Sequence, residues 1–157
     1  MTAIRTLTPD DYAPVVSVVD DWWGGRPVQA VVHRLFFEHF NRTSFAVGEV
    51  GSPRAFLIGF VSQTQPQTAY IHLVGVHPAA RALGLGRALY EHFFQAVRAL
   101  GCTQVRCVTS PVNTGSIAFH SSLGFAILPG SGEQDGVPVM LNHAGEGQHR
   151  VLFQKAL

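Results

Sequence analysis

The chain has 157 residues, of which 46% are hydrophobic and only 13% are charged, and its net charge is +1. This length predicts a single domain over residues 1–157, and the hydrophobic fraction excludes an intrinsically disordered chain. The near-neutral charge provides no basic patch, so we expect neither nucleic acid nor a membrane as a partner.

The first half of the chain is predicted to contain two helices and four strands. Residues 3–7 read as a short strand, and Thr8 and Pro9 then suit the start of a helix that ends at Gly24 and Gly25. Apolar residues at near-helical spacing predict a second helix. This helix and the next three strands cover residues 27–40, 44–50, 55–63 and 68–76 in that order.

The second half is predicted to alternate between strands and helices. A long amphipathic helix is followed by a buried strand, a short helix and two further strands. Their residues are 83–100, 103–109, 114–123, 125–128 and 150–154. The turn-rich residues 130–147 contain one more candidate strand, 137–141. Because a hairpin precedes the alternating part, the sheet is predicted to be mixed, in an α/β chain of the α+β type.

Composition gives no sign of disulfides, metals or export. Cys102 and Cys107 form neither a disulfide framework nor a metal-binding CxxC pair, and the eight histidines lack metal-ligand spacing. The N-terminus has no hydrophobic signal region, and no run approaches the roughly 18 apolar residues of a membrane span. We therefore expect a cytoplasmic protein that binds no metal.

The most informative segment lies between the strand 68–76 and the long helix. Gly84 and Gly86 open this helix, and Arg81 and Arg87 lie on either side of them. Free N–H groups at a helix N-terminus attract anions, and a glycine lets a phosphate approach the backbone closely. The dinucleotide pattern GxGxxG fails because Leu89 stands at its third glycine. The segment is thus predicted to hold a phosphate or pyrophosphate.

Two spaced motifs resemble those of the GCN5-related N-acetyltransferase (GNAT) family. The first has Arg81, Gly84 and Gly86 after a strand that ends Val74-Gly75-Val76, like the pyrophosphate loop of that family. The second begins at Asn113 and includes Ala118, Phe119, Gly124 and Phe125. The predicted element order also resembles that fold over nearly the whole chain.

The resemblance implies a GNAT fold and acetyl-CoA as the acyl donor. That fold has a central mixed, mostly antiparallel sheet of about seven strands with about four helices, and its fourth and fifth strands splay apart. The donor's pantetheine arm would lie along the end of the fourth strand, and its pyrophosphate would bind the glycine loop. The cofactor-binding residues that this implies are Val74, Gly75, Val76, Arg81, Ala82, Leu83, Gly84, Leu85, Gly86, Arg87 and Asn113. Asn113 is equally suited to capping a helix.

In the reaction that the resemblance implies, a neutral amine attacks the thioester directly and the leaving thiolate takes up a proton. The family's usual acid is a tyrosine seven residues after the asparagine, and here that position is His120. We assign His120 as the candidate acid, with a residue that only lines the site or an exposed helix residue as the alternative. His72 is the candidate base, with a packed strand histidine, Glu49 or a water chain as alternatives.

The amine acceptor is expected beside the joint of the first two helices. Asp21, Trp22, Trp23 and Arg26 are the candidate substrate-binding residues there. The carboxylates of Asp20 and Asp21 could attract a cationic amine, and the indole rings could wall the pocket. The alternative is that the two tryptophans are core residues and the acids are solvated.

The sequence therefore predicts an acetyl-CoA-dependent N-acetyltransferase acting on a small-molecule or peptide amine, without an acyl-enzyme. A degenerate acyl-CoA-binding module is the second hypothesis, because His120 replaces the usual tyrosine. A nucleotide-phosphate binder is the third. The low charge also predicts apolar surface that could pair two chains in a homodimer.

Overall fold

A computed structural model describes residues 3–157, so the first two residues of the predicted domain lie outside the described part. It contains four α-helices and nine strands. The helices are α1 (Tyr12–Trp22), α2 (Arg34–His39), α3 (Leu85–Ala99) and α4 (Thr114–Ser122). The strands are β1 (Ile4–Thr6), β2 (Phe45–Glu49), β3 (Ser52–Val61), β4 (Thr68–Val76), β5 (Gln104–Thr109), β6 (Ala126–Ile127), β7 (Gly132–Gln134), β8 (Val137–Val139) and β9 (Val151–Ala156).

Seven of the strands form one mixed sheet in the order β1-β2-β3-β4-β5-β9-β6. Every neighbouring pair is antiparallel except β4 and β5. These two run parallel and pair only from Thr68 opposite Gln104 to Tyr70 opposite Arg106. Beyond this point they separate, which confirms the predicted splay between the fourth and fifth strands and opens a cleft in the sheet.

Helices cover both faces of the sheet, and β3 shows why. Its side chains alternate, so that Ala55 and Leu57 join the core under α3, whereas Phe56 and Ile58 join the core under α1. All four of these side chains are buried. A strand with apolar residues on both faces needs a layer on each side, and α3 and α1 provide these layers.

The helix predicted over residues 27–40 is wrong in its first half. A 3₁₀ turn, Gln29–Val31, is followed by extended backbone at Val32, and only Arg34–His39 are α-helical. Val32 buries its side chain, and the carbonyl oxygen of Val31 accepts a hydrogen bond from His72 Nε2 at 2.7 Å. A contact to a distant strand thus replaces the helical hydrogen bond of this carbonyl.

Residues 130–147 contain a β-hairpin rather than a single strand. β7 and β8 pair as a separate two-stranded sheet across a turn at Asp135 and Gly136. Both turn residues have positive φ, +52° and +80°, as the tight turn of a two-residue hairpin requires. Within residues 3–157, no helix is long and apolar enough to cross a membrane.

Candidate active site

A cavity with a volume of about 900 Å³ lies where β4 and β5 separate. Residues 71–76 of β4 form one wall and residues 107–109 of β5 form the other. The start of α3 closes one end of the cavity. A further part of the wall is formed by the end of α1 and the residues after it, namely Trp22, Trp23 and Arg26. The cavity thus brings together the two segments that the sequence singled out, the glycine loop and the α1 end.

The loop before α3 has the backbone of an anion cradle. Ala82 and Gly84 both have positive φ, +67° and +76°, and positive φ is uncommon for alanine. The helix then starts at Leu85, and the N–H groups of its first turn have no carbonyl one turn earlier to bond. Gly86 faces the cavity, where a Cβ would come within 3.5 Å of the Phe119 ring. This arrangement fits a phosphate group.

The two arginines beside the loop make contacts within the protein. The Arg81 guanidinium donates to the main-chain carbonyl of Trp22, and its Nε donates to the carbonyl of Val76 at 3.4 Å. Arg87 donates to Ser122 Oγ at 3.3 Å. Arg81 therefore joins the loop to the ends of α1 and β4, and Arg87 joins α3 to α4. Both arginines line the cavity, as do Ala82 and Leu85 of the loop, whereas Leu83 is exposed outside it.

The end of β4 lines the cavity through Val74, Gly75 and Val76. Because β5 no longer pairs with β4 here, one backbone edge of the strand faces the cleft and can receive an extended, amide-containing molecule. Gly75 is also required for packing. A Cβ at this position would lie 2.6 Å from Phe56 Cε1 and 2.9 Å from Trp23 Cη2.

Asn113 caps α4, as one of its two predicted roles required. Its Oδ1 accepts a hydrogen bond from the Ser116 N–H at 3.1 Å. Asn113 also lines the cavity. Since the cap uses only the carbonyl oxygen of the side chain, the amide NH₂ is left with donors for a ligand.

His120 is buried, with 6% of its surface exposed, and lines the cavity. Its Nε2 lies 2.8 Å from the hydroxyl of Tyr90, and its Nδ1 lies 2.7 Å from the carbonyl oxygen of Ser116. Burial lowers the pKa of His120, and the hydrogen bond to Ser116 opposes this shift only in part. The ring is therefore neutral at pH 7.

His72 lines the same cavity from β4. Its ring stacks on Phe36, with centroids 4.7 Å apart. Because the carbonyl of Val31 can only accept, Nε2 carries the proton in the bond between them, and Nδ1 is the nitrogen left to act as a base. Glu49, the alternative base, lines a separate cavity of about 460 Å³ with Arg5 and Arg54.

The candidate acceptor residues divide between the cavity and the surface. Trp22 is 6% exposed and Trp23 is half-buried, and both combine core packing against Phe56 with a place in the cavity wall. Arg26 lines the cavity as well. Asp21 is exposed and outside the lining, and Asp20 Oδ1 accepts bonds from the backbone N–H groups of residues 28 and 29, both at 2.8 Å.

Several residues on the cavity wall were not predicted from the sequence, chiefly Tyr90 and Cys107. The signal for Tyr90 was its position four residues after Gly86, one helical turn away on the same face of α3. Cys107 is buried, and burial raises the pKa of its thiol well above the usual range. The thiol is therefore neutral and a poor nucleophile.

A family model, the Acetyltransferase (GNAT) family, matches residues 9–125. The L-2,4-diaminobutyric acid acetyltransferase of Nocardia farcinica is 29% identical over 89 residues, 57% of this chain and 46% of that protein. The protein of the same name from Virgibacillus pantothenticus is 29% identical over 82 residues, 52% of each chain. These matches span about half the length of the curated relatives.

Solved structures share the fold over nearly the whole chain. Ard1 from Thermoplasma volcanium has a TM-score of 0.78 at 22% identity, covering 99% of this chain and 97% of that one. Diaminobutyrate acetyltransferase EctA from Paenibacillus lautus, solved with its substrate L-2,4-diaminobutyric acid and coenzyme A, has a TM-score of 0.70 at 19% identity, covering 98% and 93%. With the matching family model, the splayed sheet and the glycine loop, this establishes that the chain belongs to the GNAT family of acetyltransferases.

Proposed function

We propose that the protein is an N-acetyltransferase that transfers an acetyl group from acetyl-CoA to the primary amine of a small molecule or peptide. The observation that carries this proposal is a single cavity that joins an anion cradle to a pocket walled by Trp22, Trp23 and His72. Two substrates held in one cavity can react directly, and their positioning supplies much of the rate acceleration. The neutral Cys107 thiol argues against an acyl-enzyme.

The donor would occupy the cleft from the loop to the β4 edge. Main-chain N–H groups at Gly84, Leu85 and Gly86, with Arg87 nearby, suit its pyrophosphate. The free edge of β4 at residues 74–76 and the amide of Asn113 suit its pantetheine amides. When bound, acetyl-CoA supplies the activated acetyl thioester. Arg81 supports this site from behind, by fixing the loop to Trp22 and Val76.

His72 and His120 are proposed to handle protons on the two sides of the reaction. Nδ1 of His72 is the available base for the incoming amine, because Nε2 is bonded to Val31. His120 is the proposed source of the proton for the leaving thiolate. Since burial lowers its pKa, it has to acquire that proton during the reaction rather than hold it beforehand.

The charge of the lining favours an acceptor that carries a carboxylate near its amine. No aspartate or glutamate lies among the cavity-lining residues of the described chain, whereas Arg26 lies there beside Trp23. A guanidinium group binds carboxylates, and a cation without a counter-charge would be disfavoured beside it. The proposed class is therefore amino acids with a reactive amine, as the names of the diaminobutyrate-acetylating relatives suggest.

Thiol release from acetyl-CoA tests the proposal. Purified protein is assayed with a panel containing 2,4-diaminobutyrate, other amino acids, polyamines and a short peptide, and acetylated products are identified by mass spectrometry. We expect turnover with at least one carboxylate-bearing amine. CoA binding without turnover on any amine would favour the acyl-CoA-binding module, and tighter binding of ATP or NAD than of CoA would favour the nucleotide-phosphate binder. A cytoplasmic location and a homodimer stay predictions from composition.

A further inference from the structure

Tyr90 and His120 form a buried polar pair that bridges the two helices beside the cavity. Tyr90 lies on α3 and His120 on α4, and their side chains are 2% and 6% exposed. The tyrosine hydroxyl and the histidine Nε2 are 2.8 Å apart, and both residues line the cavity. The bond satisfies two buried polar groups, and it also places two proton-carrying groups at the wall of the cavity.

The direction of this hydrogen bond follows from the other ring nitrogen. Nδ1 of His120 lies 2.7 Å from the carbonyl oxygen of Ser116, which can only accept, so Nδ1 carries a hydrogen. In the neutral ring Nε2 is then the acceptor, and the Tyr90 O–H donates to it. The resting pair is therefore poised to take up one more proton, at Nε2 through the tyrosine oxygen.

The surroundings keep the resting pair uncharged. The ring of His120 stacks on Phe153 at 4.7 Å and meets Phe119 and Phe125 edge-on. Burial raises the pKa of Tyr90 well above its usual value. Of the titratable groups nearby, Cys107 on β5 is neutral, and Lys155 on β9 has its Nζ over the ring of Phe94, which packs against Tyr90. Neither provides a negative charge that would stabilise a resting imidazolium.

We propose that Tyr90 is a catalytic residue of the acetyl transfer, and that its hydroxyl relays a proton from the attacking nitrogen to the leaving sulfur with His120 as the temporary store. This rests on the proposed function. Nitrogen and sulfur are bonded to the same carbonyl carbon during the transfer, so one hydroxyl beside that carbon can serve each in turn. His120 is behind Tyr90 and acts through it.

The proton and bond changes balance. His72 first accepts a proton from the protonated amine, so that the neutral nitrogen can attack. As the C–N bond forms, the nitrogen loses a second proton to Tyr90 Oη, and the original hydroxyl proton passes to His120 Nε2. As the C–S bond breaks, Tyr90 Oη gives a proton to the sulfur, and Nε2 returns its proton to Tyr90. From the neutral amine onward, one N–H and one C–S bond are exchanged for one C–N and one S–H bond. The pair ends as it began, and no other reagent is consumed.

Tyr90→Phe removes only the hydroxyl and keeps the ring that packs against Phe94 and Phe125. We expect kcat to fall by about 100-fold, the scale of a lost acid–base group, with the Kd for CoA close to wild type. The Tm should fall only modestly, because the buried Nε2 of His120 loses its donor. Tyr70→Phe is the matched control, because Tyr70 is a half-buried tyrosine outside the cavity lining. A Tyr90→Phe enzyme with kcat within about threefold of wild type would overturn the proposal.

Nitrogen-15 NMR of the His120 ring in the protein without acetyl-CoA gives a readout independent of activity. We expect the Nδ1–H tautomer and a pKa below the ordinary value of about 6.5. In Tyr90→Phe the pKa should rise, because Nε2 loses the donor that stabilises its neutral form. A wild-type ring with the proton on Nε2, or an unchanged pKa in the variant, contradicts the proposal.

His120→Asn keeps a donor for Ser116 but cannot store a proton. We expect a lower kcat and the loss of the decline in kcat/KM that protonation of His120 causes at low pH in wild type. Wild-type kcat with an unchanged pH profile would contradict the relay. These outcomes remain distinct from failure of the proposed function, which would appear as a wild-type protein without turnover on any amine.

Discussion

The guanidinium of Arg81 donates a hydrogen bond to the main-chain carbonyl of Trp22, across 59 residues of sequence. Its Nε also donates to the carbonyl of Val76. One side chain thereby ties the anion loop to the end of β4 and to the end of α1, where the proposed acceptor pocket begins. The positions of the two proposed substrates are thus coupled through a single arginine.

Arg81→Ala is predicted to weaken the binding of both substrates. A hydrogen bond to a charged group contributes about 1.5–3 kcal/mol, so a loss of about tenfold or more in CoA affinity follows if the loop moves. Calorimetry measures CoA binding, and steady-state kinetics measures the KM of the amine. A rise in the KM for acetyl-CoA with an unchanged amine KM would contradict the coupling and leave Arg81 as a phosphate ligand alone.

Gly75→Ala is predicted to destabilise the protein and disturb the acceptor pocket. Its methyl group would overlap Phe56 and Trp23, and overpacking of this kind costs about 1–3 kcal/mol. The matched control is Gly115→Ala in α4, where the nearest atom lies 3.9 Å from the added Cβ and alanine should stabilise the helix. Thermal melts compare them. A Gly75→Ala protein as stable as wild type would mean that the rings move aside freely.

Arg26→Gln is predicted to change which amines are accepted. If Arg26 binds a carboxylate, the KM for 2,4-diaminobutyrate should rise about tenfold, as for the loss of one charge-assisted hydrogen bond. The KM for 1,3-diaminopropane, which lacks the carboxylate, should stay unchanged or fall. Arg98→Gln, an exposed substitution outside the cavity, is the control. Equal changes in KM for both amines would mean that Arg26 shapes the pocket but does not bind the carboxylate.

Asp11→Asn is predicted to cost about 3 kcal/mol, because it breaks a buried ion pair. The Asp11 side chain is fully buried, and Arg5 donates to its two oxygens at 2.7 and 2.9 Å. Burial alone would raise the pKa of Asp11, but the bonds from Arg5 and from the N–H groups of Gly51 and Thr8 outweigh it and lower the pKa.

The lowered pKa fixes the sign of the pH dependence. The stabilisation from Asp11 is fully present above its unfolded pKa of about 3.9 and is lost as the pH falls through the lower folded value. Urea denaturation between pH 7 and pH 2 should show wild type losing this contribution in the acid range, whereas Asp11→Asn lacks it throughout. A constant stability difference down to pH 2 would contradict the assignment.

The sequence predicted those parts of the fold that depend on residues close to one another in the chain. The glycine loop, the amphipathic helix after it and the Asn113 cap depend on neighbours within a few residues, and the structure has all three. The β7–β8 hairpin was missed although Asp135-Gly136 is a strong two-residue turn signal. The broken second helix could not be predicted, because its segment makes contacts that are distant in sequence. His72 bonds to the carbonyl of Val31, 41 residues away, and Asp20 accepts from the N–H groups of residues 28 and 29.

The candidate site was likewise predicted only where nearby residues in the sequence determine it. The motif located the cavity, and Trp22, Trp23, His72 and His120 all line it. The sequence could not show that Tyr90 contacts His120, since this depends on how α3 packs against α4. Nor could it show that Asp20 is engaged by backbone N–H groups, which leaves Arg26 as the charged residue at that end of the cavity.

Calorimetric titration of CoA into the wild-type protein and into Gly86→Val tests most directly whether the loop at the start of α3 holds the acyl donor. A Cβ at Gly86 makes only ordinary contacts at 3.5 and 3.7 Å, so the fold should persist while the branched side chain fills the cradle. We expect one CoA per chain for wild type and at least about tenfold weaker binding for the variant, more than 1.4 kcal/mol. No binding to wild type, or equal affinity in both proteins, would contradict it.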